Sequence, residues 1–529
     1  MAKFARQVTL TADAIPFKLD PSQLEVLALG DTQSAAVIGA PGTGKSSTLI
    51  ELVADRVLNR AWSPEQVLVL APSRATATDL RDRLAARLRV PTLGPLARTV
   101  NSIAFQVVRD AAASAGTEPP VLLTGAEQDQ IIAELIAGEI AEGIGTVWPE
   151  HLGVDVRQLR GFRTELRELM MRAVEHGVSP TRVAELGRAT GRPEWIAAGA
   201  FIGSYDRVKA SYRDRHLDAS ELVREAAALI ESGSPTALAT VRLIVVDDAQ
   251  ESTQSTVTLL RAFAQRGGSV IAFGDPDLAT GAFRGAQPDL LGKLGVRLGQ
   301  AEVTTLHLTS VHRHGGALRL TTAAVTGRIG AAAAGKQRKA TAAAPELPSH
   351  AESFLLSSPA EEIAFIARRL RECHVHAEVP WSEMAVIVRS GGAVPGLAHQ
   401  LRGLEVPINV SGASSPVRDE PAVTAITLAL EVALGSRPLD VQTAEALVTG
   451  PLGRLDPVTL RRLKAALRHE ELAGGGDRGA EELLVDALSQ SGAFATIETR
   501  VGRLATRLAA NLAATREGVA NNETIEELL

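Results

Sequence analysis

Along the first half of the chain, short runs of consecutive apolar residues alternate with longer stretches of helical periodicity. Ala35-Ala36-Val37-Ile38, Val67-Leu68-Val69-Leu70, Leu243-Ile244-Val245-Val246 and Val270-Ile271-Ala272-Phe273 lack the alternation of a half-exposed strand. Such runs predict strands buried on both faces, as in a parallel sheet covered by helices. Helical patterns follow the first two, from Ser47 to Val57 and from Ala75 to Leu88, and Thr99-Val100-Asn101-Ser102 opens another. Strand, helix, strand, helix is the start of a doubly wound α/β fold, whose ligands bind at the carboxyl ends of the strands. From about Leu122 to Ile230 the pattern is helical nearly throughout, which predicts a helical insertion. Further on, Met384 to Arg389 reads as a strand, and a helical region starts near Ala422. The alanine-rich, basic stretch from Ala331 to Ala344 between them reads as a surface loop.

The chemistry starts at the end of the first strand, where Gly39-Ala40-Pro41-Gly42-Thr43-Gly44-Lys45-Ser46 separates the apolar run from the helix. A glycine-rich turn between strand and helix lets backbone N–H groups face a phosphate, and the helix N-terminus adds its positive dipole end. Lys45 supplies a charge for the β- and γ-phosphates, and Ser46 a hydroxyl for Mg²⁺. An accidental match is the alternative, but the strand-to-helix context favours a nucleoside triphosphate site. Upstream, Asp20 is placed to cap a helix that begins at Pro21. The amide of Gln23 in its first turn could read N6 and N7 of adenine.

A second strand end carries carboxylates. Leu243-Ile244-Val245-Val246 runs into Asp247-Asp248-Ala249-Gln250. Here Asp247 would hold the metal's coordination shell, and Asp248 would orient or deprotonate the attacking water. The helical insertion accounts for the long separation from Lys45. The following strand ends in Gly274-Asp275-Pro276-Asp277, with Phe283-Arg284-Gly285-Ala286 soon after.

Composition narrows the setting. At 529 residues the chain exceeds what one core usually serves, so several domains are expected. One cysteine, Cys373, precludes an internal disulfide framework or a cysteine-built zinc or iron–sulfur site, and fits a reducing cytoplasm. Nothing at the N-terminus resembles an export signal, and no apolar stretch is long enough to span a membrane. With a net charge of −6, any nucleic-acid surface must be a local basic patch. The arginines of the insertion (Arg157, Arg160, Arg163, Arg167, Arg172) read first as a solvated face, with a DNA-facing role for some as the alternative. Only 3% of residues are aromatic, so few could stack on bases.

These pieces, in this order, resemble superfamily 1 DNA helicases of the UvrD type. The resemblance rests on Gln23, the phosphate loop, Ala71-Pro72-Ser73-Arg74, Thr99-Val100-Asn101-Ser102, Asp247-Asp248-Ala249-Gln250, Gly274-Asp275-Pro276-Asp277 and Phe283-Arg284-Gly285-Ala286. It implies P-loop, RecA-like parallel-sheet motor domains with large helical insertions. Motor domain 1A would comprise 1–115 and 237–308, with insertion 1B at 116–236. Motor domain 2A would begin at 309–420, and insertion 2B at 421–529. ATP and Mg²⁺ are the implied cofactors. The nucleotide site would consist of Gln23, Gly39 to Ser46, Ser47, Arg74 and His312. Catalysis would fall to Lys45, Asp247, Asp248, Gln250 and Arg313, with Ser46 and Asp247 on the metal. Arg313, in Thr309-Ser310-Val311-His312-Arg313, would act as an arginine finger, with His312 in the adenine-stacking place. Asn101, Phe283 and Arg284 would touch single-stranded DNA, though Phe283 reads equally well as a core residue. Leu122 to Gln128 and the insertion up to Trp195 are most similar to the A subunits of actinobacterial AdnAB helicase–nucleases. That similarity implies a second helicase–nuclease subunit, duplex-end DNA and double-strand-break repair in the cytoplasm.

Three departures stand out. Asp248 replaces the family's usual Glu, which shortens the side chain of the candidate base by a methylene. Leu278 replaces a glutamine that senses the γ-phosphate. The chain also ends without a second set of motor strands, a second arginine motif or a nuclease carboxylate cluster, so it is expected to be truncated. The first two departures imply a weak or regulatory motor beside a stronger partner. The other readings are a non-hydrolysing scaffold of helicase fold, or another P-loop enzyme such as a kinase.

Overall fold

In the computed structural model the buried apolar runs form one six-stranded parallel sheet. Its strands are β1 (Ser34–Gly39), β2 (Val67–Ala71), β3 (Ala97–Thr99), β6 (Leu243–Val246), β7 (Ser269–Gly274) and β8 (Val303–Leu308). Two short strands in the intervening insertion, β4 (Val121–Leu122) and β5 (His216–Leu217), pair with each other. The sheet order is β3-β2-β6-β7-β1-β8. Residues 18–234, 238–282, 285–332, 334–347, 349–410, 421–490, 494, 500–521 and 523–524 are described.

The continuous apolar runs are explained by helices on both faces. Alternate side chains of each strand point to opposite faces. Ala36, Ile38, Leu68, Leu70, Ile244, Val246, Val270 and Ala272 join one core. That core includes α4 (Val100–Ala115), α10 (Ala219–Glu231) and α11 (Gln254–Gln265). Ala35, Val37, Val67, Val69, Leu243, Val245, Ile271 and Phe273 join the other, with α1 (Pro21–Leu27), α2 (Lys45–Ala54) and α3 (Arg74–Leu88). The insertion is helical as expected: α5 (Gly125–Glu142), α6 (Val154–Gln158), α7 (Arg160–Glu175), α8 (Pro180–Thr190) and α9 (Pro193–Ala210). It builds its own core around Ile132, Leu166, Phe201 and Tyr205. Its last helix, α10, packs instead on the sheet core through Leu222, Val223, Ala226 and Ile230. Arg163 and Arg167 serve the insertion's own structure. Arg163 pairs with Asp129 at 3.2 Å, and Arg167 donates to the Gly125 carbonyl at 2.9 Å.

Helix α12 (Leu294–Leu298) lies between β7 and β8, and after β8 come the parallel pair β9 (Ser310–Val311) and β10 (Thr341–Ala342), with α13 (Gly316–Thr326) between them. The alanine-rich stretch is therefore not simply a surface loop. Gln337 and Ala340 are buried, because the basic turn that carries them docks onto aspartates at the end of β7.

The chain divides into two compact units, Met1–Ser353 and Phe354–Leu529. The second contains α14 (Pro359–His376) and α15 (Val394–Gly403), which pack around Ala367, Leu401 and Val406. It continues with α16 (Pro421–Ala433), α17 (Val441–Thr449), α18 (Pro457–Ala473), α19 (Ala480–Ser489) and α20 (Arg500–Ala520), which surround Leu447, Leu463, Leu484 and Leu508. The strand expected over Met384 to Arg389 does not form among the described residues, and Ile387 is 91% exposed. An apolar run becomes a strand only where a neighbour completes its backbone hydrogen bonds. No described helix is long and apolar enough to cross a membrane.

Candidate functional site

Sheet order brings distant sequence together. β6, β7 and β1 are consecutive, and all run parallel, so their carboxyl ends share one edge. Asp247 follows β6, Asp275 follows β7 and the phosphate loop follows β1.

The loop has the conformation its glycines permit. Gly42 and Gly44 have φ of 82° and 79°, in the left-handed region. A Cβ on Gly39 would lie 2.3 Å from Thr43 Oγ1, and that hydroxyl donates to the Ala40 carbonyl at 2.8 Å. Gly44 caps α2 without any side-chain hydrogen bond, which leaves the first-turn N–H groups, including those of Ser46 and Ser47, for a ligand. Lys45 Nζ donates to the carbonyls of Gly39 at 2.9 Å and Ala40 at 3.3 Å. Burial holds its ammonium below the ordinary lysine range, against the nearby charges of Asp275, Asp248 and Asp247.

Ser46 Oγ donates to Asp247, 3.2 Å from Oδ2 and 3.4 Å from Oδ1. Burial, and then the adjacent Asp248 carboxylate, push Asp247 up to about 6, against the Ser46 hydroxyl and Lys45. Asp248 is left-handed at φ 48°, an uncommon conformation for a residue with a side chain. Buried Gln250 fixes it there. Its Nε2 donates to Asp248 Oδ1 at 3.1 Å, while its Oε1 accepts from the Asp275 N–H at 3.0 Å.

The first helix docks on the loop from the other side. Asp20 and Gln23 form a reciprocal capping box at α1. Gln23 is fully buried, and its Nε2 donates to the Thr43 carbonyl at 3.2 Å. The described amide thus supports the loop backbone. The Asp20 carboxylate meets His312 Nε2 at 2.8 Å. Burial opposes its ionisation, yet hydrogen bonds from Ser22, His312 and the Gln23 N–H hold it below the usual carboxylate range. The His312 N–H donates to the Gly42 carbonyl at 2.9 Å. Arg313 is exposed, close enough for its charge to bear on Lys45.

The other expected residues are less tightly gathered. Arg74 and Asn101 lie exposed in the first turns of α3 and α4, helices capped by Ser73 and Thr99. Asn101, Pro72, Asp247 and Asp248 line a cavity of about 510 Å³, with Arg167, Arg172 and Glu175 of α7 opposite. Phe283 and Arg284 lie outside the described residues. Sequence reasoning missed Gln337, Arg338 and Arg319. The one visible signal for Gln337 and Arg338 was polar residues in an otherwise alanine-rich stretch, and Arg319, in α13, had none.

Comparison with known proteins places the chain in a family. Residues 19–296, just over half the chain, match the UvrD/REP helicase N-terminal domain. The chain is 24% identical over 340 residues to DNA helicase IV of Escherichia coli, which covers 58% of this chain and 46% of that protein. It is 32% identical over 155 residues to the DNA-binding protein SMUBP-2 of Mesocricetus auratus, which covers 28% of this chain and 14% of that protein. The chain therefore spans less than half the length of these curated relatives. The match takes in five of the six strands of the sheet, β1, β2, β3, β6 and β7, and the chain belongs to the UvrD/REP helicase family.

Proposed function

We propose that the chain is the ATP-binding part of a DNA helicase or translocase that moves along single-stranded DNA, 3′ to 5′, by hydrolysing ATP. The observation that carries this reading is the meeting of Ser46 with Asp247, 3.2 Å apart, beside Lys45. The donors suit Mg²⁺. One hydroxyl and one carboxylate leave the remaining octahedral positions to phosphate oxygens and water, which is how Mg²⁺ is held at such sites. Among the described residues there is no cluster of three His, Cys, Asp or Glu to hold a metal without the nucleotide. Mg²⁺ would neutralise phosphate charge. Asp248, oriented by Gln250, would position the attacking water, and Arg313 would stabilise the transferring phosphoryl group. Gln23, once its amide turns from the Thr43 carbonyl, and His312 would face adenine, and Arg74 the phosphates. Asn101, Phe283 and Arg284 would follow the DNA strand.

The resemblance to AdnAB A subunits supports a heterodimer acting on duplex ends in cytoplasmic double-strand-break repair, with the 1A, 1B, 2A and 2B division given above. A strand-displacement assay on partial duplexes with 3′ or 5′ tails tests the motor. ATP-dependent release from the 3′-tailed substrate alone supports it, and release from neither substrate or only from the 5′-tailed one contradicts it.

A second reading, a weak motor or DNA-binding scaffold beside an active partner, is favoured by Asp248 being short, left-handed and held by Gln250. A displacement of about 1 Å can lower a rate on the order of a hundredfold. If Asp248→Glu leaves turnover unchanged, this second reading fails.

A further inference from the structure

One short module reaches both halves of the phosphate site. Its first strand, β9, leads into His312, whose N–H holds the Gly42 carbonyl. Its second, β10, pairs with β9. On the turn before β10, Lys336–Lys339, the side chain of Gln337 is 1% exposed. Its Nε2 lies 3.3 Å from Asp275 Oδ1 and 3.1 Å from Asp277 Oδ2. Arg338 grips Asp277 with two nitrogens, Nε at 2.8 Å and Nη2 at 2.5 Å. The turn is fastened from behind by buried Arg319 of α13, which donates to the Ala340 and Arg338 carbonyls at 2.7 and 2.5 Å.

Asp275 is the group this turn serves, and it is short of donors. Its Oδ2 is buried with no hydrogen-bond partner among the described residues, as is Gln337 Oε1. Its Oδ1 accepts from the Asp277 N–H at 3.1 Å. Lys45 supplies part of the positive charge that offsets it. Phosphates entering the loop will draw the Lys45 ammonium from the carbonyls it now holds. Burial already pushes the Asp275 carboxyl up, and with Lys45 drawn away its charge has less compensation in a poorly solvated place. Leu278, at the end of the same turn as Asp277, is 39% exposed and has no side-chain donor. The Gln337 amide is the side-chain donor already in place.

We propose that Gln337 is a positioning residue that couples γ-phosphate occupancy to the segment 310–342, by holding Asp275 when Lys45 turns to the nucleotide. This rests on the ATP-site reading and goes beyond it by assigning the linkage to a residue outside the phosphate loop. It predicts selectivity for the triphosphate, because ADP draws Lys45 less far.

The test compares equilibrium binding of Mg²⁺ with ADP or with a non-hydrolysable ATP analogue by the full chain. Gln337→Leu keeps the volume and removes the donor. It should weaken the triphosphate about tenfold or more, the scale of a hydrogen bond to a charged group, and leave ADP within about twofold. Gln337→Asn, a donor on a shorter arm, should fall between wild type and Leu. Gln337→Glu, a third carboxylate beside two others, should be weaker than Leu. Circular dichroism and a thermal melt without nucleotide establish that each variant is folded. Equal loss for both nucleotides, or no loss for either, overturns the proposal. If Lys45→Ala abolishes binding while Gln337→Leu alters neither ligand, the proposal falls and the ATP site stands. A wild-type chain that binds neither nucleotide overturns both.

Discussion

Asp247 should make the ligand-free protein less stable. A carboxyl that titrates near 6, where an exposed one titrates near 3.8, binds its proton more tightly when folded than when unfolded. The sign follows from linkage. Between these two pH values the folded state holds more protons, so the group's contribution to stability falls as pH rises through the interval. Above pH 7 the penalty is fully present, about 3 kcal/mol at 1.36 kcal/mol per pH unit. Asp247→Asn removes the charge and keeps an acceptor for the Ser46 hydroxyl, now 3.2 Å from Oδ2. The lost strength of that charge-assisted bond offsets about 1 kcal/mol. The variant should therefore be about 2 kcal/mol more stable than wild type at pH 8, with the gain absent near pH 4. Urea unfolding at several pH values, with hydrogen exchange of the β6 and β7 amides as a local readout, measures this. Nucleotide-dependent turnover should meanwhile be lost. A variant that is less stable at pH 8, or whose gain does not change with pH, would refute this account of the buried carboxylate.

Gly39→Ala places a methyl 2.3 Å from Thr43 Oγ1 and 3.2 Å from Leu308. It should cost about 1–3 kcal/mol through overpacking and abolish nucleotide binding, as read by urea unfolding and equilibrium titration. Arg56, 1% exposed, donates to the Leu27 and Leu29 carbonyls and to Asp55. Arg60 donates to the same three groups, so Arg56→Met should lower stability by only about 1–3 kcal/mol, yet leave nucleotide affinity unchanged. Asp20→Ala removes the cap of α1 and the partner of His312. It should cost about 1–2 kcal/mol at neutral pH. That difference should shrink in acid, because a carboxyl held below 3.8 loses its contribution as pH falls through its folded value.

What the sequence made legible was whatever local chemistry dictates. The apolar runs of β1, β2, β6 and β7 have to be buried on both faces, and they are. Gly42 and Gly44 are required by positive φ, and Asp20 forms the expected cap. Convergence of Asp247 on Ser46 followed once the strands were taken as parallel. Long-range partners were not legible. Nothing periodic marks Gln337 or Arg338, which are held by Asp275 and Asp277 lying opposite. Gln23 gave no local sign that its amide would turn to the Thr43 carbonyl. Over Met384 to Arg389 the hydrophobic pattern was present but no pairing neighbour lies among the described residues, so pattern alone misled.

The central claim is that this chain hydrolyses ATP at Lys45, Ser46 and Asp247 in response to DNA. Its most direct test is steady-state ATP turnover with and without single-stranded DNA, for wild type and Lys45→Ala. The account predicts Mg²⁺-dependent turnover that rises with DNA and disappears in the variant. Turnover that survives Lys45→Ala would contradict it.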